Sequence, residues 1–256
     1  TARGDANLHS DTDFVCIWPD AATHYHTISS RYGGTMFYSS DTINRMRSKG
    51  SLFLTHLDVD SIYLEGDKSL LETFKAYRPD NQQVAQSLQD TSEFLQQITW
   101  HPASEVGMLW LCDVLYVALR NCIYCKNALR GRYRFGFLDA LEDLDLLPEE
   151  TTALLQIREG KYRYRNKKSN RVSDIDSTVL STACQSILGS NVEFRAGGYT
   201  EWKIDWRMDY WGERLLERAI LNGEHDDQSF LWQLRHQNYH KRSLKSHMRK
   251  IIEMHT

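Results

Sequence analysis

Proline is scarce in this chain, four in 256 residues, and no low-complexity tract accompanies it. That excludes a disordered protein, and 41% hydrophobic with 25% charged residues reads as an ordinary globular one. Long apolar runs are lacking as well. Nothing approaches the roughly 18–20 residues of a membrane span. The most apolar stretch, Val106 to Leu119, is interrupted by Cys112 and Asp113 and reads as a buried core helix, so no membrane partner is expected. Neither sign of charge dominates: a net charge of −3 excludes an all-over electrostatic nucleic-acid binder and leaves room for local basic patches. Five cysteines form no visible paired framework, which points to a reducing compartment and a cytoplasmic protein. A signal peptide and an initiating Met are both lacking, and upstream residues are expected to be missing.

What is present begins with a polar turn, Ala2-Arg3-Gly4-Asp5-Ala6-Asn7, and a β-branched and aromatic run, Asp13-Phe14-Val15-Cys16-Ile17-Trp18, stopped by Pro19. That run predicts a strand, and residues 34–39 predict a second. Ser40 or Asp41 is placed to cap a helix through Lys49, ended by Gly50. Ser51 to Leu57 reads as another strand and Ser69 to Tyr77 as a helix ended by Pro79. Beyond Pro79 the apolar spacing becomes helical, over residues 81–100, 103–130, 135–147, 149–159, 174–188 and 208–222, with a basic helix near 240–254. The fold class is therefore α+β, with residues 1–79 as a small mixed domain and 80–256 as a helical one.

Asp11 and Asp13 are two apart at the start of a strand, so they project from one face. Two adjacent carboxylates repel each other unless a cation lies between them. A hard divalent ion such as Mg2+ relieves that repulsion and leaves positions for phosphate oxygens, the arrangement used in nucleotidyl transfer.

The segment from Thr1 to Phe14, with Ala2-Arg3-Gly4 and Ser10-Asp11-Thr12-Asp13, resembles the signature of the DNA polymerase β-like nucleotidyltransferase superfamily. Gly50-Ser51-Leu52-Phe53-Leu54-Thr55-His56-Leu57, followed by Tyr63-Leu64-Glu65-Gly66-Asp67, looks like a further segment common there. The resemblance covers about the first 80 residues. It implies a small polymerase β-like palm followed by a helical domain that closes over the nucleotide. It implies Asp11 and Asp13 as ligands of Mg2+ or Mn2+, with Arg3, Gly4 and Ser10 near the phosphates of an NTP, ATP being the one expected. The implied reaction is transfer of a nucleoside monophosphate to an acceptor hydroxyl (a small molecule, an RNA end, a protein or a second nucleotide) with release of pyrophosphate.

The chain departs from that pattern in three places. The family's Gly-Ser pair is not in it, and Asp20 to Tyr32 is short for the helix expected between strands. The family's third carboxylate has no counterpart on Thr35-Met36-Phe37-Tyr38. Asp60, or Asp58, is the nearest alternative, and both share a face if the strand runs past Leu57. Without a third acid the module would bind nucleotide in a regulatory role; an RNA- or tRNA-interacting defence or toxin–antitoxin component is the other alternative.

Residues 158–171 hold Arg158, Lys161, Arg163, Arg165, Lys167, Lys168 and Arg171 against Glu159, with Tyr162 and Tyr164 interleaved. Lys161, Arg163 and Arg165 are candidates for a triphosphate or an RNA backbone, and the tyrosines for a base; the alternative is a solvated helix end. Ser173 or Asp174 is expected to cap a helix. Arg235, Lys241, Arg242, Lys245, Arg249 and Lys250 read as the basic side of a packed terminal helix, with Leu244, Met248, Ile251 and Ile252 on its apolar side. The single pair Cys122 and Cys125 does not suggest zinc, and His24 and His26 read as loop histidines. Arg120-Asn121 is similar to part of an Arg- and His-containing motif in some helical domains that follow this module, but no histidine stands four to six residues later, so ribonuclease activity is not assigned.

Overall fold

Helix-forming sequence dominates the structure as it dominates the sequence after Pro79. The computed structural model describes residues 14–18, 28, 30–31, 35–166, 175–201, 210–235 and 241–255. The chain is α+β and mostly helical, and it divides into two units, Thr1–Asp90 with Ile123–Asp145 and Thr91–Cys122 with Leu146–Thr256. Packing thus groups residues 80–90 and 123–145 with the strands.

In the first unit, β1 (Phe14–Trp18) pairs in parallel with β2 (Thr35–Ser39), Phe14 opposite Thr35 and Trp18 opposite Ser39. Helix α1 (Ser40–Ser48) begins where Ser39, extended at φ −75° and ψ 158°, accepts the Thr42 N–H on its hydroxyl. Asp41 in the first turn and Arg45 and Arg47 in the last oppose the helix dipole. Gly50 at φ +72° then turns the chain, in a conformation that side chains rarely adopt.

The next element corrects an expectation. Leu52–Asp60 is a helix, α2, where a strand is predicted. A short apolar run is ambiguous by period alone, and tertiary packing decides it. Leu54 and Leu57, three apart, lie on one helical face against Ile43 and Phe74. Each such burial contributes about 1.5–3 kcal/mol, more than the strand propensity of the run opposes. The helix expected over Ser69 to Tyr77 is a 3₁₀ helix, Lys68–Thr73, capped by Asp67. Helix α3 (Asn81–Gln97) starts in this unit and packs Val84 on Cys125 and Ala128 of α4 (Glu105–Leu129). Short α5 (Phe137–Glu142) completes it, shorter than the predicted 135–147.

Helix α4 falls within the 103–130 stretch read from sequence. By length and composition its 25 residues would pass for a membrane span, yet 72% of its most apolar window is buried inside the protein. In the second unit, helices α6 (Pro148–Asn166) and α7 (Ser177–Leu188) pack along each other. Helix α6 runs past the predicted end at 159. Gly160 meets α4 at Cys112, where an added Cβ would lie 2.7 Å from the cysteine's Cβ and Sγ. Asp176 caps α7 through the Val179 N–H at 3.0 Å, and Gly189 closes it at φ +72°. The cap therefore lies two residues beyond Asp174 and three beyond Ser173, the expected caps, both of which lie outside the described residues. A short parallel pair, β3 (Trp100–His101) with β4 (Arg195–Ala196), precedes α8 (Tyr210–Leu221), α9 (Gln228–Arg235) and α10 (Lys241–His255). Met248 and Ile251 of α10 join Leu216, Ile220, Phe230 and Leu234 in one apolar cluster, as the pattern of the terminal helix predicts.

Candidate functional site

Arg3, Gly4, Ser10, Asp11 and Asp13 lie outside the described residues, as do His24 and His26. The description begins at Phe14, the residue after Asp13. Phe14, Val15, Cys16 and Ile17 of β1 and Thr35 of β2 line a cavity of about 580 Å3. The segment 61–67 that follows α2 also lines it. Ile62 and Leu64 there are 62% and 59% exposed, unusual for large apolar side chains. Polar groups are fixed between them. The Tyr63 hydroxyl donates to the Gly66 carbonyl, with the Lys68 ammonium 4.7 Å over its ring. Glu65 accepts from Arg31 at 3.2 and 3.3 Å. The Ser69 N–H and hydroxyl hold the Asp67 carboxyl below its ordinary pKa.

Asp58 and Asp60 stand differently from the sequence expectation. On helix α2, residues two apart do not face the same way, so they share no face. Asp58 accepts from Arg78 Nη1 at 2.7 Å and from the Ala76 N–H at 3.0 Å, holding Ala76 at φ +53°. Partial burial pushes the Asp58 pKa up, but the Arg78 and Ala76 hydrogen bonds and the charges of Arg78 and Lys75 bring it below the usual value. Asp60 Oδ2 lies 3.3 Å from His56 Nε2 in the same helix. Neither carboxylate is placed by β1 or β2.

The basic run is also rearranged. It continues α6 as far as Asn166, and residues 167–174 lie outside the described residues. Tyr164 is fully buried, its hydroxyl donating to Glu217 Oε1 at 2.5 Å, so it has no face for a base. Arg165 donates through Nε to Asp113 Oδ1 at 2.9 Å, through Nη2 to Oδ2, and through Nη1 to the Arg235 carbonyl. Its guanidinium is spent within the protein, which removes it as a phosphate ligand. Arg163 pairs with Glu159 at 3.3 Å, and the Lys161 ammonium lies 4.7 Å over the Tyr116 ring. Arg235 belongs to α9 rather than to the terminal helix, and its Nε donates to the Tyr164 carbonyl at 2.6 Å.

Around Asp113 these residues form a buried charge network. Arg214, fully buried, reaches Asp113 Oδ2 at 3.3 Å and Glu217 Oε2 at 2.7 Å. Burial raises the Glu217 pKa despite the two arginines, and burial raises that of Tyr164 well above its ordinary value. The one sequence signal for this network is Asp113 itself, an acid in an otherwise apolar helix. Burial pushes the Cys112 and Cys184 thiols up to about 12. Cys122 and Cys125 are buried and form no disulfide.

Sequence reading missed a second cluster altogether. His225 Nε2 and His247 Nε2 lie 3.0 Å apart, and His247 Nε2 lies 3.4 Å from Asp227 Oδ2. Burial lowers the His247 pKa against the pull of Asp227, with His225 and Lys250 lowering it further. The separation of 22 positions between the two histidines offers no spacing motif.

No protein-family model matches the chain, and no curated protein or solved structure matches it.

Proposed function

We propose that the chain is a metal-dependent nucleotidyltransferase that moves a nucleoside monophosphate from an NTP, ATP being expected, to an acceptor hydroxyl with release of pyrophosphate. What supports this reading is the spacing of Asp11 and Asp13 just before β1 in the sequence, together with a cavity lined by Phe14, Val15, Cys16 and Ile17 of β1 and Thr35 of β2. A polymerase β-like palm would present its carboxylates at such a strand end, beside a cleft for the nucleotide.

The donor set suits the metal: two carboxylates two residues apart are the hard oxygen ligands that Mg2+ or Mn2+ prefers. Asp11 and Asp13 would hold it, and it would supply charge neutralisation at the phosphates and activation of the acceptor oxygen. The chain's own residues do the rest. Ile62, Leu64 and Tyr63 supply an apolar and aromatic wall for the base. Arg3 steadies the phosphates.

A second reading, a nucleotide-binding regulatory module, is favoured by one observation. No acid stands on β2, and Asp58 and Asp60 are engaged by Arg78 and His56 on a helix.

Pyrophosphate release with each of the four NTPs and Mg2+, with cell extract supplying acceptors, separates the two readings. Release that disappears in Asp11→Asn/Asp13→Asn supports nucleotidyl transfer, and the destination of the label identifies the acceptor. NTP binding without release favours the regulatory module. Absence of NTP binding overturns the site.

A further inference from the structure

Three elements of the second unit converge on one point. His225 comes from the loop between α8 and α9, Asp227 from the start of α9, and His247 from the middle of α10. We infer that His225, Asp227 and His247 form a binding site for a divalent transition metal of the zinc, cobalt or nickel class, which ties α10 to the α8–α9 loop. This goes beyond the nucleotidyl-transfer reading, uses none of its residues and concerns a different ion chemistry.

Distances carry the argument. Metal–nitrogen bonds of about 2.0–2.1 Å place two ligands roughly 2.9 Å apart at a right angle and roughly 3.3 Å apart at the tetrahedral angle. The two observed edges are 3.0 Å for His225 Nε2 to His247 Nε2 and 3.4 Å for His247 Nε2 to Asp227 Oδ2. All three ligand atoms fall within 4.8 Å of one another. Hydrogen bonding alone serves this arrangement poorly. A ring nitrogen has either one proton or one lone pair, and His247 Nε2 faces two partners at once. A shared cation satisfies all three atoms together. Two imidazoles and a carboxylate form a borderline N/O donor set, which suits zinc-class ions better than Mg2+ or Ca2+.

The ligands are also held in place. Gly223, at φ +75°, ends α8 with its N–H on the Ile220 carbonyl at 3.1 Å. Glu224 then fixes the loop, its carboxylate accepting from the Thr200 N–H at 3.1 Å and from Asn222 Nδ2 at 2.8 Å. Asp227 divides its two oxygens: Oδ1 caps α9 through the Phe230 N–H at 2.8 Å, and Oδ2 turns to His247. The His247 ring stacks on Phe230 at 4.2 Å, and its neighbour Met248 is fully buried. All three ligands are half-buried, so the site is sheltered yet open to a solvent ligand. Lys250 is the cationic neighbour that would oppose the ion, and Asp227 offsets it.

The test is a titration of the tag-free, chelator-treated full chain with Co2+, read by its visible d–d absorption, followed by displacement with Zn2+. One Co2+ per chain in a low-coordinate spectrum is expected, with a rise in melting temperature on adding Zn2+. His225→Ala and His247→Ala should each weaken binding by more than about 100-fold, beyond the cost of an outer-shell change. Asp227→Asn preserves the helix cap and should weaken binding while leaving the metal-free melting temperature near that of the parent. Asp11→Asn/Asp13→Asn should leave the Co2+ titration unchanged, which separates this site from the nucleotide site. A folded chain that takes up no Co2+, or one whose uptake ignores both histidine substitutions, overturns the inference.

Discussion

Asp58 in the first unit and Asp113 in the second are both carboxylates held by arginine, and they differ in almost everything else. Asp58 is near the surface, paired with one partly exposed arginine and one backbone N–H. Asp113 is wholly buried and shared between Arg165 and the fully buried Arg214. At the surface, water competes for each charge, and such a pair contributes about 1 kcal/mol or less. In the interior, the gain of forming a pair is small against the cost of desolvation, but breaking it leaves a buried charge with no counter-ion. The first unit uses charge to shape a turn. The second uses it to fix which helices meet.

The largest expected effect breaks that contrast at its buried end. Asp113→Asn should destabilise the second unit by about 3–5 kcal/mol, seen as a lowered urea midpoint by circular dichroism. A loss under 1 kcal/mol would show that the network behaves like a surface pair.

Gly160→Ala is next and tests the packing beside that network. Helix propensity alone gives a gain of about 1 kcal/mol for alanine. Against it, the new Cβ would meet Cys112 at 2.7 Å and Ile175 Cδ1 at 3.0 Å, and overpacking costs about 1–3 kcal/mol. Net destabilisation is expected in thermal melts, and stabilisation would mean that α4 and α6 yield easily.

The smallest effect lies at Asp58. Its pKa is lowered in the folded chain, so its contribution is present above the unfolded value of about 3.9 and is lost as pH falls through the folded one. Asp58→Asn should cost about 1 kcal/mol or less at neutral pH and should flatten the stability profile below about pH 4. An unchanged acid limb would show that Arg78 does not hold the carboxylate in solution.

Much of the fold was legible residue by residue. Gly50 ends α1 as expected because a left-handed glycine acts within one turn of chain, whereas the cap is Ser39, one residue before the expected Ser40 or Asp41. The helices beyond Pro79 follow from the spacing of Val84, Leu88, Leu109 and Trp110. Helix α2 was not legible, because Leu52-Phe53-Leu54 fits a buried strand equally well until Ile43 and Phe74 offer a helical face something to pack on. The basic run was legible as charge but not as structure. Nothing near Arg165 in sequence announces Asp113, 52 residues away.

The sequence by itself determined the local events: where most helices start and stop, which faces are apolar, and that two aspartates lie two residues apart just before β1. These depend on neighbours within a few residues, which the order of the chain specifies directly. Tertiary structure alone decided which charges are spent and which are grouped. It buried Tyr164 and Arg165, set Asp58 and Asp60 on a helix, and gathered His225, Asp227 and His247 from a loop, a cap and a helix. Ion pairs and metal-ligand geometries depend on distances in space between residues far apart in the chain, and those distances are fixed only when the helices pack.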